Sequence, residues 1–170
     1  MESFGRNWLD WPSVTGFLME HPWGWPLSET LHFIGLCLLV GIVGMYDLRV
    51  LGMAKGLPLA FLKRLLPWAV FGFVLCLISG LAFVLGLRSN LFDDNAFDVI
   101  MRDPYLQLKL IFMFLAGINL LVFHLTGVAR AVDALGPEDD APLPAKVIAG
   151  ASLFLWVGVV VFGRLIPAGL

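Results

Sequence analysis

Eight residues of this 170-residue chain have the types and spacing that chemistry needs: Glu29, His32, Asp47, Arg49, Lys109, Asn119, His124 and Arg164. They stand in or beside long apolar runs, where a charge or an imidazole is costly and calls for a reason. His32 lies one helical turn from Glu29, and imidazole is both a metal ligand and a proton carrier near neutral pH. His32 and Asp47 are 15 residues apart, and so are Lys109 and His124. On a helix that spacing keeps each pair within about 60° of one face and about 22 Å apart along the axis. Two parallel helices marked in this way bring His32 to Lys109 at one level, where Glu29 and Arg164 also fall. At the other level Asp47 meets His124 or Arg49, with Asn119 nearby. The competing reading is structural, with basic side chains snorkelling at the membrane rims and His124 and Asn119 hydrogen-bonded between helices.

The elements that must position these two layers are hydrophobic helices. Hydrophobic residues make up 59% of the chain and charged ones 14%, too apolar a balance for a soluble domain. The pattern predicts an all-α fold, a four-helix transmembrane bundle with spans at about 28–49, 67–87, 105–128 and 145–165. Ser28 is the expected N-cap of the first span, and Asp103 with Pro104 the cap and first residue of the third. Residues 1–27 carry Trp8, Trp11, Trp23 and Trp25 and are broken by Pro12, Pro22 and Pro26. This reads as an interfacial segment with a short amphipathic helix around Ser13 to Glu20. Short surface helices are expected in the connections at 50–66 and 88–104, and the acidic stretch Arg130 to Pro144 as the most mobile loop. The start lacks a basic region followed by a continuous apolar one, so no cleaved signal peptide is expected.

Loop charge gives a direction. The first and third connections carry Arg49, Lys55, Lys63, Arg64, Arg130 and Lys146, against Arg6, Arg88, Arg102 and Arg164 on the other side, with Lys109 just inside. The excess places these connections in the cytoplasm and both termini outside, in a bacterial inner membrane. The formal charge of −2 and the lack of a basic, aromatic-interleaved strip leave nothing for nucleic acid. No GxSxG, P-loop or GxGxxG is present, and no histidine stands three or four residues from His32. Cys37 and Cys76 sit in apolar runs as small hydrophobes, and no paired methionine motif for Cu(I) occurs.

The runs ETLHFIGLCLLVG and YDLRVLG, then LPWAVFGF, YLQLKL with NLLVFH, and LWVGVVVFGR resemble a family of small four-span bacterial membrane proteins of unknown function. A more distant resemblance joins the Leu-His of span one, the Arg after it, and the Lys and terminal His of span three to HemJ-type protoporphyrinogen oxidase, and more loosely to CopD-type membrane proteins. That resemblance implies haem b, with His32 on the iron and Lys109 in the active site, although Gln107 stands where HemJ has a histidine. Three functions follow as expectations. The first is haem-dependent electron transfer with a membrane redox complex or a quinone as partner. The second is a non-enzymatic membrane subunit or scaffold, and the third a CopD-like permease for copper or a small solute.

Overall fold

The computed structural model describes residues 16, 20–90, 100–136 and 138–169, with backbone alone over 85–90 and 168–169. Among the described residues five helices are bounded: α1 Gly24–Val50, α2 Leu59–Asn90, α3 Pro104–Leu125, the short α4 Val128–Asp133, and α5 Leu143–Gly169. The four long ones are each apolar and long enough to cross a membrane. At about 1.5 Å per residue, the 27 residues of α1 reach about 40 Å, beyond the roughly 30 Å hydrocarbon layer. The protein is a multi-pass membrane bundle. Its outward side chains are those lipid requires: Phe114 is 70% exposed and Leu125 81%.

The helix ends differ from the expected ones for local reasons. The first helix begins at Gly24, and the hydroxyl of Ser28 donates to the Gly24 carbonyl inside the helix instead of capping it. The surface helix expected before the second span is continuous with it, so Pro67 lies within α2. A proline there removes one N–H, a loss that neighbouring groups absorb in a membrane helix. The third helix starts as expected, with Asp103 Oδ1 accepting from the N–H groups of Tyr105 at 2.8 Å and Leu106 at 3.1 Å, and Pro104 at the first position. It stops at Leu125, since Gly127 takes a φ of 78° that starts α4 on a new axis. The amphipathic helix around Ser13 to Glu20 and most of the surface helix at 88–104 lie outside the described residues.

Packing makes two hairpins. In the first, α1 and α2 touch backbone to backbone, because a Cβ on Gly35 would lie 2.7 Å from the Gly72 oxygen and a Cβ on Gly72 would lie 2.7 Å from the Gly35 oxygen. In the second, α3 lays Phe112 over the bare backbone of Gly158 on α5. The hairpins meet along α1 and α5, while α2 and α3 hardly touch among the described residues. The helices therefore form an open arc in the order α2, α1, α5, α3. One end of the arc is sealed by a cluster of Tyr46, Val50, Leu62, Ala145 and Ala149 around Val132 of α4, which is fully buried.

Residues 134–136 and 138–142 are tied down at that end. Buried Arg49 donates from Nε to the Leu57 carbonyl at 3.1 Å, from Nη2 to Gly136 at 3.2 Å and from Nη1 to Asp139 at 3.5 Å. Asp140 pairs with Lys55 at 2.9 Å and lies 3.5 Å from Lys146. The stretch expected to be the most mobile loop begins as helix α4 and continues as a segment held to both hairpins.

Candidate functional site

The two polar levels lie on the inner faces of the hairpins, and each has its own geometry. At the His32 level, α1 presents a half-buried imidazole to α2, with Nδ1 2.8 Å from Ser79 Oγ. Ser79 is itself buried and donates its single hydroxyl proton to the Leu75 carbonyl at 2.6 Å. In the tautomer in which Nδ1–H donates to Ser79, Nε2 keeps its lone pair. Phe83 meets the ring edge-on at 5.4 Å, and Cys76 Sγ donates to the His32 carbonyl at 3.5 Å. Lys109 of α3 is close enough to act on both His32 and Cys76 electrostatically, and its ammonium would lie 3.4 Å from a Cβ placed on Gly163 of α5. Three helices, α1, α2 and α3, thus supply one neighbourhood. Glu29 and Arg164 are exposed at the same end.

At the other level Asp47 is buried, 6% exposed, with Ser152 of α5 against its carboxyl. Its Oδ2 has no hydrogen-bond partner. Arg49 does not supply one, because residues two apart on a helix point about 200° apart and the guanidinium is spent on the loop carbonyls. His124 is exposed and bonds the Leu120 carbonyl of its own helix at 3.0 Å. Asn119 donates across to the Ile148 carbonyl of α5 at 3.1 Å, joining the second hairpin.

Asp47, Asn119 and His124 share one feature, a cavity of about 710 Å³ that all four long helices line. Two aromatic pairs brace it across the arc: Tyr46 of α1 against Phe123 of α3 at 6.2 Å, and Phe73 of α2 against Trp156 of α5 at 6.4 Å, both edge to face. At its charged rim Lys63 of α2 pairs with Asp133 of α4. No known protein family, curated protein or solved structure matches the chain.

Several of these residues are absent from the sequence reading. Ser79 and Ser152 are single hydroxyls in apolar helices, and the available signal was that such a group needs a partner when buried. Nothing in the local sequence announces the cavity, which arises because α2 and α3 fail to close. Among the described residues no three His, Cys, Asp or Glu side chains converge as ligands for a metal ion.

Proposed function

We propose that the protein takes up an amphipathic small molecule from the bilayer in the cavity between its two hairpins, with Asp47 as the polar anchor. One observation carries this reading: a carboxyl removed from water, with one oxygen unanswered, on the wall of a cavity of about 710 Å³. Protein interiors do not leave such groups unpaired without cause, and small-molecule sites occupy roughly 300–1,000 Å³ with few polar groups on apolar walls. Entry from the lipid would run along the seam between α2 and α3, which make few contacts among the described residues. Gly117 supplies the test, since it lines the cavity and a Cβ there meets nothing within 4 Å. Gly117→Phe should fill the space without disturbing the bundle. In lipid nanodiscs, ligands that raise the melting temperature of the wild type should lose their effect on this variant; equal shifts in both would sink the reading.

A second reading starts from the His32–Ser79 bond, which in the Nδ1–H tautomer leaves Nε2 with its lone pair. On it, the protein binds b-type haem and passes electrons to a membrane redox complex or quinone. His32 and Lys109 would hold the haem, the imidazole toward its iron and the ammonium as a counter-charge for a propionate; the haem would supply one-electron redox chemistry. The expected result is a Soret band in protein purified from cells supplied with haem, lost in His32→Ala. Without that band the haem reading ends. For localisation we propose a bacterial inner membrane with the connections at 51–58 and 126–142 in the cytoplasm and both termini outside, supported by the basic residues that cluster at those connections.

A further inference from the structure

The walls of the cavity also speak to the charge of its occupant, an inference that rests on the first reading above. The ionisable residues that line it, among those described, include Asp47, Lys63, His124 and Asp133. Lys63 is committed to Asp133, and His124 Nδ1 to a carbonyl of its own helix. Two carboxyl groups stand against one ammonium and one imidazole, and the acid with no ionic partner among the described residues is the buried one.

A carboxylate taken out of water is best answered by a donor that is itself positive, because charge-assisted hydrogen bonds are about twice as strong as neutral ones. A carboxylate left alone there is costly. The remaining lining points the same way. Tyr46, Phe73, Phe123 and Trp156 ring the space, and the faces of such side chains attract cations, the more so when water is excluded. Depth then orients the guest. Asp47 is three residues from the end of α1, whereas Leu39 on the same helix lines the cavity about 12 Å further into the membrane.

We propose that the cavity binds lipophilic cations, above all a hydrophobic amine whose ammonium lies against the Asp47 carboxyl and whose apolar body extends toward Leu39, Phe73 and Met113. Against the ionised carboxyl a neutral quinone supplies no counter-charge and an anionic amphiphile is repelled.

Tetraphenylphosphonium and tetraphenylborate, close in size and shape and opposite in charge, separate these cases. Full-length protein in nanodiscs of zwitterionic lipid is titrated with each by equilibrium dialysis against empty nanodiscs. The cation should bind saturably and the anion should not. Asp47→Asn should weaken cation binding about tenfold or more, Asp47→Glu should retain most of it, and Gly117→Phe should abolish it. Should the two ions bind alike, or Asp47→Asn and Asp47→Glu both leave the cation's affinity unchanged, the cation assignment falls while a cavity that still responds to Gly117→Phe stands. If neither ion binds but an uncharged quinone does, and Gly117→Phe removes it, the charge class is again wrong and the cavity reading survives. Absence of any binding to well-folded wild type removes both.

Discussion

Arg49 shows what a single buried side chain accomplishes here. It is 1% exposed, and its guanidinium satisfies the Leu57, Gly136 and Asp139 carbonyls, so one planar group holds the first connection against the third. Hydrogen bonds to a charged group are worth about 1.5–3 kcal/mol each. Arg49→Met, which keeps the stem but removes the donors, should cost at least about 2 kcal/mol in unfolding measured in detergent. Arg49→Lys should recover little of this, because an ammonium cannot reproduce the fork. Asp140 makes a weaker tie. The hydrogen bond from Lys55, with the charges of Lys55 and Lys146, holds its carboxyl below the usual range. A carboxylate depressed in the folded state stabilises fully above its unfolded pKa of about 4 and loses that contribution as pH falls through the lower folded value. The melting temperatures of wild type and Asp140→Asn should therefore differ at neutral pH and converge in acid. Because the group is exposed, the difference should be small and should shrink in high salt.

At the scale of the helix pair, glycine decides how closely two spans approach. In α1 and α2 the cross-helix contact at Gly35 and Gly72 is with backbone, which cannot step aside. Gly35→Ala and Gly72→Ala should each destabilise by about 1–3 kcal/mol, the usual cost of overpacking. Gly158→Ala should behave similarly, since Phe112 occupies the place of its Cβ. Gly41 and Gly150 are the controls, with nothing within 4 Å of an added Cβ. Alanine there should be neutral or stabilising, because it restores helix propensity at no steric cost. Melting curves of the five variants in one detergent test the set. A loss at Gly41→Ala as large as that at Gly35→Ala would contradict the seam.

For the whole molecule, the arrangement is two tight hairpins joined along one side and clamped at one end. The clamp uses α4, the Arg49 contacts and the Lys63–Asp133 and Lys55–Asp140 pairs, while the seam between α2 and α3 stays open. The orientation proposed above predicts that reporters inserted after Gly56 and Glu138 show cytoplasmic activity and that one fused after Leu170 shows the opposite. The reverse pattern would invert the protein in the membrane and leave the bundle and its cavity as described.

Hydrophobic run length determined the number of spans by itself, because a backbone in lipid must satisfy its own hydrogen bonds and twenty or so apolar residues have only the helix available. Local rules also sufficed for the Asp103-Pro104 start of α3, where cap and first residue are neighbours in the chain. The 15-residue spacings marked two polar levels, since a helix turns sequence distance into depth. What each polar group meets was decided only in three dimensions. Asp47 and Arg49 are two residues apart and serve different ends, one facing the cavity and the other the loop, because the helix turns them away from each other. Ser79 meets His32 from 47 residues away in the chain. The cavity lies where Gly35 and Gly72 bring α1 onto α2 and Gly158 admits Phe112 between α3 and α5, while among the described residues α2 and α3 make few contacts. Such a space is the difference between two packings, and no single run of residues encodes a difference.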